Sequence, residues 1–354
     1  QAQRTLIADN PSAYQQIGNF NGDVFSGYMM PPAPFRSNSY NTTYNLIEPY
    51  CASSFVNRYQ TVMNPTYKVI EMAKTIPEYK DLDALARILR VTAMNRVTDK
   101  FGPVIFSKYN IADEDGTVHY DSQKEAYSFI FEDLDIAIKT LNSLQATQVS
   151  AQMQKADLAY SNNNYKNWLC YANSLRLRMA LRISKIDPDL ARTQGEAALN
   201  PANGGLLTEN SQNCYIKLLN THPLTTISST WADIRMGASM ESIMKGLQDP
   251  RIGAYFLPAK DPAVAGQFKG IRCGIDIDAK SRYEGYSTLV PLPPKMQMMV
   301  PAESWFLKAE AALRGWANAG SAMDNYNTGI DRSFEQYKLS AKAGEYKNDW
   351  ASTL

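Results

Sequence analysis

Apolar positions recur with a helical period along much of the chain. Phe55, Tyr59, Val62 and Ile70 predict a helix over about 53–74, ended by Pro77. Leu82, Leu85, Ala86, Leu89 and Ala93 predict a second over about 81–99, stopping before Phe101-Gly102-Pro103. At about 100° per residue, Tyr127, Ile130, Phe131, Leu134, Ala137, Ile138 and Leu141 fall within an arc of about 120°, as in a helix with one buried face. Residues 165–185 differ: Trp168, Leu169, Tyr171, Ala172, Leu175, Leu177, Met179, Leu181 and Ile183 cover most of the circumference, which predicts a central, buried helix. Arg178, Arg182 and Lys185, with Ser174, fill the remaining arc, and these cations are expected to pair with carboxylates of neighbouring helices.

A last pair of helices follows. Ala302, Trp305, Phe306, Ala309, Ala312, Leu313 and Trp316 share one face, with Glu310 and Arg314 as an i,i+4 pair off it. Beyond Gly315 and Gly320, Ala322, Tyr326, Ile330, Phe334 and Tyr337 again keep one apolar face. Together the two occupy about 35 residues, close to the tetratricopeptide (TPR) period, and Ala309 and Ala312 would let their backbones approach closely.

The rest of the chain lacks this rhythm. The first 50 residues are rich in Gly, Pro, Asn and Tyr and predict an ordered loop region. Residues 200–300 are loop-rich, with strand-like pieces at 214–219 and 288–291. The expected fold is therefore mainly α: helix pairs forming a scaffold, with a long irregular part and a few short strands.

Composition narrows the function. Among 354 residues, 36 Lys+Arg against 35 Asp+Glu give a net charge of +1, which argues against nucleic acid as the main partner. No apolar run is long enough for a membrane-spanning helix. The chain opens at Gln1 rather than Met, as a processed or trimmed product would. With His119 and His222 as the only histidines, a multi-histidine metal site is nearly excluded, and neither is expected to be catalytic. Cys51, Cys170, Cys214 and Cys273 are far apart and read mostly as small buried hydrophobes. Asp113-Glu114-Asp115-Gly116 begins like a calcium loop, but the later ligand positions do not follow, so an acidic surface turn is expected. Motifs for nucleophilic hydrolysis, phosphate cradling, dinucleotide binding and zinc proteolysis are all missing, and no cofactor is implied. Paired carboxylates for glycoside hydrolysis depend on spatial separation, so the sequence neither supports nor removes them.

The 21 Tyr, against 12 Phe and 5 Trp, are more informative. Tyr28, Tyr40 and Tyr44 are interleaved with Arg36 and Asn41 near the start, and Trp231, Tyr283 and Tyr286 recur in the middle. A sugar ring presents an apolar C–H face and a rim of hydroxyls; an aromatic platform covers the first, and Asn or Arg side chains hydrogen-bond the second. Tyr28, Arg36, Tyr40, Asn41, Tyr44, Trp231, Tyr283 and Tyr286 are accordingly the candidate ligand-binding residues, with no catalytic or metal-binding residue assigned. Tyr59, Tyr127, Tyr171, Tyr326 and Tyr337 belong with the scaffold.

Five blocks in order resemble the SusD/RagB family: DKFGPVIFSKYN (99–110), YDSQKEAYSFIFEDLDIAIKTL (120–141), YKNWLCYANSLRLRMALRIS (165–184), DPRIGAYF (249–256), and PAESWFLKAEAALRGW leading into AMDNYNTGI (301–330). The resemblance implies a single SusD-like domain over 1–354, with helical scaffold at about 50–199 and 301–338 and candidate ligand-binding parts at 1–50 and 200–300. It also implies a surface-exposed lipoprotein of the outer membrane, whose N-terminal lipid anchor lies outside this chain. Its partner would be a SusC-like TonB-dependent transporter, to which it passes captured nutrient, usually a glycan. Peptide capture on the same scaffold is the alternative, and a glycoside hydrolase a more distant one. The family's lipid-bearing cysteine is absent, Cys51 lying too deep, and the expected C-terminal helix and Trp/Arg-rich tail do not follow DWASTL; a chain shortened at both ends is therefore expected. The family's binding residues vary with substrate, so the resemblance transfers no particular contact.

Overall fold

The computed structural model describes residues 2–6, 8–34, 47–160 and 164–351. Its principal elements are α1 (Pro11–Tyr14), β1 (Met29–Met30), α2 (Glu48–Arg58), α3 (Asn64–Ala73), α4 (Lys80–Phe101), α5 (Gln123–Leu144), α6 (Lys166–Arg182), α7 (Pro188–Leu199), β2 (Cys214–Lys217), β3 (Arg235–Met236), α8 (Ala238–Gly246), β4 (Lys295–Met299), α9 (Pro301–Leu313) and α10 (Ala322–Gln336). The protein is mainly α, with two two-stranded sheets, β1–β3 and β2–β4, among the described residues. By its contacts the chain divides into two compact units, one of residues 1–6, 55–216 and 297–333, the other of 7–54, 217–296 and 334–354.

The first unit is built on α3 to α7 and α9. Its α5 starts in a capping box: the Ser122 hydroxyl accepts from the Glu125 amide, and the Glu125 carboxylate accepts from the Ser122 amide at 2.8 Å. α6 packs against α5, α7 and α9, and nearly every side chain it carries is buried, as its all-round apolar pattern predicts. Two of the three cations expected to pair, Arg178 and Arg182, do so. Arg178 grips Glu303 through two bonds of 2.6 and 2.8 Å, and Arg182 meets Asp99 at 2.7 Å.

The irregular segment between α4 and α5 is pinned by one carboxylate. Asp121 accepts from the amides of Phe106 (2.9 Å) and Ser107 (2.8 Å), and pairs with Val104 in an isolated bridge. The acidic stretch at 113–116 closes as a surface turn, with Asp115 accepting from the Thr117 amide and hydroxyl. A second buried carboxylate, Asp133, joins α5 to α4 by accepting from both Arg87 and Arg90.

Two glycines set how closely elements of this unit approach. The Gly329 Cα of α10 faces the Phe306 ring of α9, where a Cβ would lie 2.7 Å from the ring, while Ala311 and Ala312 of α9 pack in the cluster with Leu177 and Trp316. On α7, a Cβ at Gly195 would lie 2.1 Å from the Trp316 indole, inside a cluster that includes Leu177, Ala191, Ala198 and Ala311. Gly195→Ala is expected to lower the free energy of unfolding by about 1–3 kcal/mol through overpacking. A shift of the urea midpoint checks this, and an unchanged midpoint would mean that the indole moves aside freely.

Three expectations need correction. Residues 11–25 are helical, not loop: Asn10 caps α1 by accepting from the amides of Ser12 and Ala13, and the chain continues as a π-helix over Gln15–Asp23. The buried positions there are Asn19, Phe20 and Val24, too few apolar side chains to mark a helical face in the sequence. The predicted strand at 288–291 is reduced to an isolated bridge between Phe256 and Leu289. Leu313 and Tyr326, placed on buried faces, are exposed.

The second unit holds two apolar clusters. One comprises Met29, Leu224, Ile227, Ile234, Met236, Phe256 and Leu289, with Tyr14 and Trp231 packed against it; the other is Met30, Ile271 and Ile277, with Tyr283 and Tyr286 against it. β1 pairs antiparallel with β3, Met29 opposite Met236 and Met30 opposite Arg235, so adjacent methionines point into different clusters. The four cysteines are free thiols. Cys170 and Cys214 are buried, and burial pushes the Cys214 thiol up to about 12.

Candidate functional site

Among the sequence-predicted site residues, Tyr28, Trp231, Tyr283 and Tyr286 are described, and all four fall in the second unit. Arg36, Tyr40, Asn41 and Tyr44 lie outside the described residues.

Tyr28 sits on a tight turn that follows the π-helix. The Gly27 amide donates to the Val24 carbonyl (3.0 Å), the Ser26 hydroxyl donates to the Asp23 carbonyl (3.1 Å), and Gly27 has φ of 73°, a left-handed conformation natural to glycine. The turn leaves the Tyr28 ring 53% exposed and Phe25 48% exposed. Nothing in the sequence marks Phe25 as exposed; the turn geometry does.

Backbone packing of unusual closeness holds this turn. The Gly237 amide donates to the Tyr28 carbonyl at 2.9 Å, and a Cβ on Gly237 would stand 2.2 Å from the Gly27 carbonyl oxygen. A Cβ on Gly270 would stand 2.5 Å from the Gly237 oxygen in turn. Three backbone segments thus stack without side chains between them, and the next residue, Ile271, donates its amide to Met236.

Tyr283 and Tyr286 form an edge-to-face pair, centroids 5.3 Å apart at 88°. The Arg282 guanidinium lies 5.7 Å from the Tyr283 ring centroid. Burial raises the Tyr286 phenol above its usual range, helped by Tyr283, Asp261 and Glu241, so this hydroxyl stays a neutral donor and acceptor at physiological pH. Met30 packs in the cluster that supports both rings, two residues after Tyr28.

Two cations fix the 280–286 segment. Buried Arg235 donates to the carbonyls of Glu284 (2.8 Å), Ile234 (2.7 Å) and Ser228 (3.2 Å). Lys280 donates to the Trp231 carbonyl (2.7 Å) and to Asp233 (3.1 Å), whose other oxygen accepts from Gln15 (3.0 Å). Trp231 itself packs on the other cluster from the tyrosine pair, and Lys280 is what ties its backbone to their segment. Arg235 and Lys280 are positioning residues. Their isolated positions in the sequence give no sign of it.

A ring pair, a half-exposed Tyr turn and nearby charged rims suit a polar ligand with apolar faces. Among the described residues no group of three or more His, Cys, Asp or Glu side chains could hold a metal ion. His222 is buried, and its Nδ1 accepts from the Leu224 amide at 3.2 Å as a helix cap.

A family model described as "Susd and RagB outer membrane lipoprotein" matches residues 1–353. The chain belongs to the SusD-like family. A chitin-binding SusD homologue from Flavobacterium johnsoniae shares 37% identity with it at a TM-score of 0.90, over 98% of this chain and 71% of the homologue. SusD homologues from Bacteroides vulgatus (29%, TM-score 0.87, 96% of this chain and 70% of that one) and Bacteroides thetaiotaomicron (29%, 0.86, 98% and 69%) follow the same fold. No curated protein matches. The SusD-like assignment carries with it the mainly helical, TPR-containing fold seen here and the outer-membrane lipoprotein class. No described helix is long and apolar enough to cross a membrane.

Proposed function

We propose that this SusD-like protein captures glycan chains at the cell surface and passes them to a SusC-like TonB-dependent transporter, held at the outer membrane by a lipid anchor. The observation that carries the reading is the aromatic surface of the second unit: a half-exposed Tyr28 turn, and a Tyr283–Tyr286 pair resting on the cluster that Met30 joins. Pyranose rings stack on such faces, and Arg282, Glu284 and Asp261 supply polar partners for their hydroxyls. Arg36, Tyr40, Asn41, Tyr44 and Trp231 complete the proposed set. The 37%-identical relative described as chitin-binding makes N-acetylglucosamine oligomers the first glycan to try. Capture without turnover is the proposed mode.

Affinity electrophoresis and titration calorimetry against N-acetylglucosamine oligomers and a polysaccharide panel test this. Tyr28→Ala and Tyr283→Ala should each weaken binding about three- to tenfold, the worth of one stacked ring. Binding of peptides with no glycan bound would overturn the glycan reading in favour of peptide capture. Release of shortened glycans would point to hydrolysis.

A further inference from the structure

A cavity of about 430 Å³, within the range of small-molecule pockets, lies in the first unit, and no aromatic ring lines it. Its walls come from α3, α4, the helical turn Ala2–Thr5 and residues 155–158. The apolar part of the lining is aliphatic: Val69 of α3, Leu82, Leu85 and Leu89 of α4, and Leu158. Buried Gln3 ties the opening turn to the last segment. Its Nε2 donates to the Ala156 carbonyl (2.9 Å), and its Oε1 accepts from the Leu158 amide (2.8 Å). This tie brings the neighbouring Arg4 and Lys155 to one cavity.

The polar side chains of the lining divide into those already engaged and two that are not. Gln3 is spent on the tie, and the Thr66 hydroxyl donates to the Val62 carbonyl at 2.7 Å. Arg4 and Lys155 have no hydrogen-bond or ion-pair partner among the described residues. The lining contains no carboxylate. Asp157, two residues beyond Lys155, is turned to the amides of Ala159 (2.8 Å) and Tyr160 (3.0 Å). Lys155 is exposed, and water serves it. Arg4 is half-buried: its Nε is enclosed without an acceptor, while its two Nη groups keep accessible surface and meet no acceptor in the protein. An arginine drawn into a fold loses hydration, and a matching anion is the usual compensation. Here the anion is missing from the protein, in an aliphatic cavity that carries two cations.

We propose that this cavity binds a medium-chain aliphatic carboxylate. The carboxylate accepts from the Arg4 Nη groups and from Lys155 Nζ, and the tail lies along Val69, Leu82, Leu85, Leu89 and Leu158. Arginine–carboxylate bonds are among the stronger hydrogen bonds, and the tail takes aliphatic surface of both partners out of water. A neutral chain leaves the cations unanswered, a short acid leaves the leucines wet, and a sugar finds no ring to stack on. The site shares no residue with the glycan surface, so the two readings stand or fall separately.

The test is calorimetry of the intact chain with four probes: octanoate, butyrate (same head, short tail), 1-octanol (same tail, no charge) and octylammonium (same tail, opposite charge). Octanoate should bind at one saturable site, at least tenfold more tightly than any of the other three. Arg4→Gln should lower that affinity about tenfold and the exposed Lys155→Gln about threefold. Val69→Phe, which fills the cavity from a partly exposed wall, should abolish octanoate binding; all three variants should leave glycan binding unchanged. No saturable heat with octanoate would overturn the proposal, as would equal affinity for 1-octanol or for butyrate. Undiminished octanoate binding by folded Arg4→Gln or folded Val69→Phe would overturn it as well.

Discussion

Replacing Asp133 by Ala should lower the free energy of unfolding by about 3–5 kcal/mol, the cost of breaking one side of a buried ionic cluster. Asp133 is 3% exposed on α5 and accepts from Arg87 Nη1 at 2.6 Å and from Arg90 Nη2 at 2.5 Å, with Arg90 Nε also directed at it. Arg87 has a second carboxylate in Asp83, one turn back on its own helix at 2.9 Å. Arg90 otherwise lies over the Phe106 ring, its guanidinium carbon 5.0 Å from the centroid. Without Asp133, two largely buried guanidinium groups of α4 are left at the α4–α5 contact with only Asp83, beside Arg87, as a carboxylate partner. The loss should therefore come from stranded charge rather than lost volume. A double replacement separates the two: Asp133→Ala with Arg90→Met removes a charge of each sign and should recover much of the stability. Urea unfolding measures all three proteins. A loss below about 1 kcal/mol for the single variant would show that water reaches the arginines and replaces the carboxylate.

The second unit should carry a concealed pair of opposed titrations. Burial raises the Asp23 carboxyl from 3.8 to about 6, against a weaker lowering by Asn19; burial lowers the His222 imidazole from 6.5 to about 4. Asp23, with its folded value raised, contributes stability that is full below about pH 4 and lost as pH rises to about 6. His222, with its folded value depressed, contributes stability that is full above about pH 6.5 and lost as pH falls towards 4. Over the shared window each slope is about 1.4 kcal/mol per pH unit, of opposite sign, so the pair nearly cancels. Removing one member uncovers the other. Asp23→Asn should gain stability with rising pH between about 4 and 6, and His222→Gln should lose it, each by about 3 kcal/mol across its window. Urea midpoints at pH 4.5, 5.5 and 6.5 for the parent and both variants check this. Three parallel lines would mean that neither group is desolvated as the fold implies.

How much was legible in the sequence depends on which physics fixed each element. α5 and α6 were legible because large apolar side chains mark their faces at a 3.6-residue period, and the burial of both followed directly. The expected pairing of Arg178 and Arg182 with carboxylates rested on the cost of burying charge, and both pairs are present. α7 escaped the reading because its packing face is Ala191, Gly195 and Ala198, small residues that leave room for Trp316 and carry almost no hydropathy signal. Its cap was visible in hindsight, since Asp187 accepts from the Leu190 amide ahead of a Pro at the first turn. The π-helix at 15–23 is hidden for a different reason: its QQIGNFNGD sequence offers only Ile17 and Phe20 as apolar positions. At the candidate site, residue type was readable and arrangement was not. Tyr28, Tyr283 and Tyr286 stand out by their chemistry, but Arg235 and the glycines at 27, 237 and 270, which bring their segments into register, act across more than 200 residues of sequence.

The composition of the two units from separate pieces has a consequence for synthesis. Most of the first unit comes from one uninterrupted run, residues 55–216, so much of its helical core can form while the chain is still growing. The second needs residues 7–54, then 217–296, then 334–354. Its earliest piece, with Phe20 and the Tyr28 turn, emerges roughly 280 residues ahead of the last, an interval of tens of seconds at ~5–20 residues per second. Met29 and Met30 of that piece lack their cluster partners until residues 224–289 have emerged. Holding chaperones should therefore bind nascent chains there until residues 271–286 complete the cluster under the tyrosine pair.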